Sequence, residues 1–390
     1  MLILHVAEDY YPRAAGVPEV VAQISRRLAS WGHEVHVATG TPPGSLAEEL
    51  RDGVYIHRFK VEGGGTVTPH GDIRGYLDFV RSRPWDVIVI HCASAWTTDV
   101  LLAHVTEFSS AVIMVGHGLQ TLDETAHDPY WSWLAASLRA VDASTTLSPL
   151  LQEMPFCAKY NLPRPFVIPN GVDTSEWSTP SVEIRHRWHV GDVPWIVNVS
   201  NHTPMKAHAT FFSAVDRVSM ALPTVRGTIV GNSHRVYKWR LGRLGVKGGC
   251  WYGCHPRARQ DTHVDLRSMV ARPDVVSAIK EADVLVLSSP RTREASPIII
   301  LEAMAAGTPW LSLGGGCVRE HVGGLVVTDL TEMVEKLQML LGDQQLRHSL
   351  GKAGQKRTAE KHSWDTIARQ YERLYRDVVA GRAAAVTQNG

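Results

Sequence analysis

Apolar and polar positions along the chain fall into two runs of the same rhythm, short apolar stretches rich in β-branched residues separated by amphipathic segments. In the first run "LILHV" (2–6), "EVHVAT" (34–39), "DVIVIH" (86–91), "AVIMVG" (111–116) and "ASTTLS" (143–148) read as strands. Between the first two, "VPEVVAQISRRLASWG" (17–32) sets Val20, Val21, Ile24 and Leu28 on one helical face. The rhythm restarts with "WIVNVS" (195–200), "VRGTIVG" (225–231), "DVLVLSS" (283–289), "PWLSL" (309–313) and "GLVVTD" (324–329). Strands with no polar face belong to parallel sheets covered by helices on both sides. The pattern therefore predicts α/β architecture with two doubly wound, Rossmann-like parallel-sheet domains. Such sheets bind ligands beyond the carboxyl ends of their strands.

The Pro-, Asn-, Gly- and Ser-rich "LPRPFVIPNGVDTSEWSTP" (162–180) separates the runs. The expected division is 1–170, a connector over 171–190, a second domain over 191–362 and a closing helix over 363–382. That helix carries Trp364, Ile367, Tyr371 and Leu374 as an apolar stripe, which needs another surface to cover it.

Length agrees, since 390 residues suit two domains of roughly 150–200 residues. With 40 basic against 39 acidic residues the formal charge is +1, so no global field recruits nucleic acid. No apolar run reaches the ~18 residues of a membrane span, and the start lacks the basic n-region of a signal peptide. Five cysteines, an odd number, point to a reducing, cytoplasmic setting. Cys250, Cys254 and His255 in "CWYGCHP" lack zinc-knuckle spacing and read as a loop with free thiols, so no metal is expected. The basic stretch at 237–249, with Arg235 upstream, reads as a solvated surface element. A peripheral membrane or anionic-acceptor patch is its second reading.

The chemistry concentrates in "REASPIIILEAMAAGTPW" (293–310). Ser296 and Pro297 look like an N-cap and first helical residue, and Gly307 with Pro309 ends the helix. Glu294 then precedes the helix and Glu302 lies in its second turn. A strand, a loop and a helix N-terminus make a phosphate site, here with a carboxylate on each side. A ligand with a diphosphate between two polyols, the shape of a nucleotide sugar, would use all three. The same residues also fit a structural arrangement in which Glu294 meets the helix dipole and Glu302 a basic side chain.

Glu294, seven residues, Glu302 and "AMAAGTP" resemble the signature of the retaining family 4 glycosyltransferases of the GT-B fold. That resemblance implies two domains facing a central cleft, with the last helix crossing back to the N-terminal domain. It gives Glu302 the ribose hydroxyls, Glu294 the hydroxyls of the donor sugar, and the amides around Ala295, Ser296, Pro297, Ile298 and Ile299 the region of the diphosphate or sugar. "SNHTPMKAH" (200–208) resembles the donor-phosphate loop: Lys206 keeps the Lys position and Asn201 stands where Arg is usual. His117 in "MVGHGLQ" matches the histidine aimed at the reacting sugar. His91 in "VIHCASAW" reads as structural or acceptor-lining. Gly16 in "YPRAAGVPEVV" keeps one glycine of the family's usual pair, and Gly316 and Glu320 stand in register in the loop at 314–324.

His117, Lys206 and Glu294 are thus the expected catalytic groups. The expected reaction moves a sugar, with retention, from a UDP- or GDP-sugar to a hydroxyl of a glycan, lipid-linked sugar or metabolite. Resemblance implies no metal and no cofactor beyond the donor. The alternatives are a GT-B sugar-nucleotide epimerase or phosphorylase, or a non-catalytic nucleotide-sugar-binding protein. The sequence leaves acceptor and oligomeric state open. A nicotinamide enzyme is disfavoured, because no Gly-x-Gly-x-x-Gly follows the first strand.

Overall fold

Ten of the apolar runs become strands in the computed structural model, which describes residues 1–13, 15–65, 67–119, 128–231, 254–290 and 294–389. The first ten strands are β1 (Leu2–Val6), β2 (Glu34–Gly40), β3 (Glu48–Arg51), β4 (Val54–Phe59), β5 (Val61–Gly64), β6 (Val67–Gly71), β7 (Val87–His91), β8 (Ala111–Val115), β9 (Ala143–Thr146) and β10 (Phe166–Val167). Eight of them form one sheet in the order β10-β9-β8-β7-β1-β2-β4-β3, while β5 and β6 pair separately. All its neighbours run parallel except β3 against β4. Six more, β11 (Trp195–Val199), β12 (Arg226–Val230), β13 (Val264–Arg267), β14 (Val284–Leu287), β15 (Trp310–Ser312) and β16 (Gly324–Val326), make an all-parallel sheet ordered β13-β12-β11-β14-β15-β16.

Among the strands that periodicity misses, β3 and β13 give it the least purchase. β3 reads "EELR" on an antiparallel edge and is largely exposed, and β13 reads "VDLR" with three of four residues half-buried. β1, by contrast, is buried almost throughout: Ile3, Leu4 and Val6 expose no surface, and Leu4 pairs with His36 and Ile88.

Two compact units emerge. One comprises Met1–Gly171 together with the final helix; the other is Val172–Ser363. Composition suggests a connector over 171–190, yet this segment contributes Trp177 and Ile184 to the buried interior of the second unit. The helix Trp364–Asn389 packs on the helix Gly16–Ser30 and on β8 in the first unit. Trp364, Ile367, Tyr371, Leu374 and Tyr375 are all buried. Each such side chain contributes about 1.5–3 kcal/mol. At the rim, Arg27 Nε lies 2.5 Å from Asp365, and the Arg369 guanidinium lies over Trp31. An exposed pair of this kind gives ~0–1 kcal/mol, so the apolar stripe dominates docking. Among the described residues no helix is long and apolar enough to cross a membrane.

The seat of that helix sets a stringent demand at Gly171. A Cβ there would lie 2.7 Å from the Trp364 ring. Gly171→Ala should therefore destabilise by about 1–3 kcal/mol, seen as a lower urea midpoint at unchanged m-value. An unchanged midpoint would mean that Trp364 is not packed against this glycine.

Candidate functional site

In the second unit the site grows from the carboxyl ends of β11 and β14. Asn198 and Ser288, both buried, stand at these ends. Asn198 Nδ2 donates to Ser288 Oγ (3.1 Å), and Ser288 Oγ donates to the Lys206 carbonyl (2.8 Å). This fixes the backbone of Lys206, the last residue of a 3-10 turn. Ala207 follows at φ +46, a left-handed conformation unfavourable for a residue with Cβ. Lys206 Nζ then meets Glu294 Oε1 at 2.5 Å, with the Glu294 side chain only 10% exposed. Removing either partner of so enclosed a pair strands the other's charge.

The Glu294 loop is held from the far side. Cys317 N–H donates to the Ala295 carbonyl (2.8 Å), and a Cβ on Gly316, at φ +53, would overlap that same oxygen. The helix starts one residue later than its sequence suggests. Pro297 is the N-cap, Ile298 is the first helical residue, and no side chain caps the N-terminus. Ser296 turns its hydroxyl to the Cys317 thiol. Gly307 ends the helix in the left-handed conformation. The amides of Ile298 and Ile299 thus open the helix beside the Lys206–Glu294 pair.

Glu302 lies on the same helix, and Arg272 reaches it at 2.5 Å. Arg272 also grips both carboxylate oxygens of Glu176 (2.8 and 2.6 Å) and lies over Trp177. Burial opposes the charge of Arg272, but the two carboxylates outweigh it and raise its pKa. The basic partner expected under the structural arrangement of Glu302 therefore exists. Asn201 is half-buried in the loop, and Glu320 is exposed at the end of a 3-10 turn.

In the first unit His117 follows β8. Its Nε2 lies 3.1 Å from His91 Nδ1, and His91 Nε2 lies 2.9 Å from His5 Nδ1. His91 is wholly buried between the other two rings. Of its two expected readings, structural or acceptor-lining, this burial fits the structural one. Desolvation lowers His5 to about 3 and His117 to about 4, and holds His91 well below its ordinary value. The loop after β8 is fixed by Glu153, which accepts the Gly118 N–H at 2.6 Å. Gly16 opens its helix, and a methyl group added there would meet nothing within 4 Å, so the space before that N-terminus is clear.

Arg272, His5 and Glu153 were not read from the sequence. Only His5 carried a signal, as the one polar residue of "LILHV". Cys254 also departs from expectation: it is disulfide-bonded, while Cys92, Cys157 and Cys317 are free. Cys250, the side chain of His255 and the basic stretch at 235–249 lie outside the described residues.

Two Rossmann-like parallel sheets, each with polar groups at its carboxyl ends, define the GT-B architecture. Solved structures share it: sucrose-phosphate synthase from Thermosynechococcus elongatus matches with TM-score 0.80 at 20% identity, covering 97% of this chain and 99% of that one. Anabaena HepE in complex with UDP and glucose matches with TM-score 0.74 at 15% identity, over 96% and 99%. Residues 14–176 match Glycosyltransferase Family 4 and residues 193–343 match Glycosyl transferases group 1. The chain belongs to the family 4 glycosyltransferases. A GDP-mannose-dependent alpha-mannosyltransferase of Mycobacterium tuberculosis is 29% identical over 252 residues, 58% of this chain and 61% of that protein. An N-acetyl-alpha-D-glucosaminyl L-malate synthase of Bacillus anthracis is 20% identical over 96% of this chain and 97% of its own length. The match thus spans about three-fifths of the mannosyltransferase.

The histidine row makes a pH prediction. His5 and His117 sit at about 3 and 4 when folded, against 6.5 when unfolded. Between those values the unfolded chain binds more protons, so stability is present above pH 6.5 and falls on acidification. Each histidine contributes a slope of about 1.4 kcal/mol per pH unit in that window. His5→Asn should flatten the urea-measured slope by about one proton. An identical slope in the variant would contradict the buried neutral row.

Proposed function

We propose that this chain is a retaining glycosyltransferase that moves a sugar from a UDP- or GDP-sugar to a hydroxyl of a glycan, lipid-linked sugar or small metabolite. The reading rests above all on Lys206 and Glu294 meeting at the carboxyl ends of β11 and β14 beside the uncapped start of the helix Ile298–Ala306. On donor binding, Lys206 exchanges Glu294 for the diphosphate, and the amides of Ile298 and Ile299 share the charge of the leaving group. Glu294, released, accepts from hydroxyls of the donor sugar. Glu302 accepts from the ribose hydroxyls while Arg272 holds its orientation. His117, by its match to the family histidine, binds the reacting sugar as a neutral imidazole. Asn201 occupies the place of the usual Arg and contributes a neutral contact there. No metal enters the chemical step, because the ammonium and the helix amides carry the charge.

Both donor bases have support. Curated relatives are described as GDP-mannose-dependent, and HepE is described in complex with UDP-glucose. The proposed setting is cytoplasmic, with peripheral membrane contact depending on the basic stretch at 235–249. Asn201 also favours a second reading, a nucleotide-sugar-binding protein without turnover, since a neutral amide replaces a bidentate guanidinium.

Turnover separates the two. The purified chain is incubated with UDP- and GDP-sugars and hydroxyl acceptors, without added Mg2+ or Mn2+, and nucleotide release and product anomer are read by NMR. The expected outcome is release from one donor base with the anomeric configuration kept. Lys206→Met should lower kcat about 10²–10³-fold, as loss of a single charge-stabilising donor does elsewhere. Binding without release supports the second reading; inversion, or release only with added metal, contradicts the proposed mechanism.

A further inference from the structure

Behind the Lys206 loop, three side chains from separate segments converge. His202 lies in the loop, His208 opens the helix His208–Ser219, and Cys254 opens the helix Cys254–Gln260. All three are buried, and one ligand atom from each lies within 4.8 Å of the other two. Cys254 Sγ is 3.6 Å from His208 Nδ1, and the two imidazoles meet edge to face with centroids 4.7 Å apart. Zinc bonds of ~2.3 Å to sulfur and ~2.0–2.1 Å to nitrogen place tetrahedral ligand atoms about 3.3–3.6 Å apart. The sulfur–nitrogen separation already has that value.

The tautomer of His208 follows from proton counting. The Lys206 carbonyl only accepts, so Ser288 Oγ uses its proton there and accepts from Asn198 Nδ2. Asn198 must then turn Oδ1 to Ser200, which donates to it at 2.7 Å. With its one proton used, Ser200 Oγ accepts from His208 Nε2 at 2.8 Å. Nε2 is therefore the N–H, and Nδ1 presents its lone pair towards Cys254. A metal-binding imidazole has this form: one nitrogen bare, the other anchored in a hydrogen bond.

We infer that His202, His208 and Cys254, once the disulfide at Cys254 is reduced, form a three-ligand site for a soft divalent cation of the zinc class, with water as the fourth ligand. Sulfur and imidazole donors select such an ion over Mg2+ or Ca2+. The reduction is a thiol exchange: the disulfide and two thiols of a reductant give two protein thiols and one oxidised reductant disulfide. Cation binding then displaces the proton of the Cys254 thiol to solvent. Because His202 and His208 flank Lys206, and the directed chain ends on its carbonyl, the cation clamps the Lys206 loop. The disulfide and the cation thus compete for the one Cys254 sulfur.

The test reads metal uptake and not sugar transfer, so its outcome is separate from that of the proposed function. The full chain is prepared oxidised and reduced, the reduced state verified by thiol count, and titrated with Co2+ and then with Zn2+ in competition. The reduced protein should take up one equivalent of Co2+ with a sulfur-to-cobalt charge-transfer band, displaced by Zn2+, and the oxidised protein should show no such band. Ser200→Ala should bind about 10–100-fold more weakly through loss of the imidazole anchor, and Cys254→Ser should abolish the band. No uptake by the reduced wild type, or uptake without the sulfur band, overturns the inference without reliance on any variant.

Discussion

An ammonium and a carboxylate at 2.5 Å, Lys206 and Glu294, tie together the carboxyl ends of β11 and β14, and most of what surrounds them in the second unit bears on that contact. The buried Asn198–Ser288 link fixes the backbone on the Lys206 side, and the Cys317–Ala295 bond fixes it on the Glu294 side. Gly316 admits the Ala295 carbonyl where any side chain would collide. The pair is satisfied without a ligand. Under the proposed function a diphosphate outcompetes that carboxylate for Lys206, through higher charge and through the amides that open the helix Ile298–Ala306.

Glu302 shows the same logic in milder form. Arg272 sits between Glu176 and Glu302 and neutralises a carboxylate that is only 12% exposed. Burying Glu302 unpaired would cost several kcal/mol, so the arginine is what makes a charged carboxylate tenable at that place. In the first unit, burial performs a comparable service on His117. Enclosed beside His91 and His5, it stays neutral where a free histidine would begin to charge. A neutral ring can both accept and donate a hydrogen bond, which is what the proposed contact with sugar hydroxyls asks of it.

Much of this was legible in the chain. The apolar strands, both Rossmann-like sheets and the stripe of the last helix follow from periodicity, while Glu294 and Glu302 were singled out by one motif and Lys206 by a second, each through its resemblance to the family. What escaped had physical reasons. Arg272 follows β13, a strand too short and too polar to be seen, and its partners lie far away in sequence. Ser296 loses the cap position because Pro297 keeps an extended conformation that holds the chain outside the helix. The burial of His91 depends on which strand neighbours β7, which no local pattern discloses. Cys254, weighed with Cys250 and His255, showed no zinc-knuckle spacing because the histidines it lies beside, His202 and His208, come from another segment.

The central claim, that the Lys206, Glu294 and Glu302 cluster holds a nucleoside diphosphate, is met most directly by calorimetry of UDP and GDP binding to the wild type and to Glu302→Gln. The account predicts that one nucleotide binds and that the variant weakens it about ten- to a hundredfold, the loss of hydrogen bonds to a charged acceptor. Equal affinity for wild type and variant, or no binding of either nucleotide, would contradict it and leave the carboxylates as structural partners of Lys206 and Arg272.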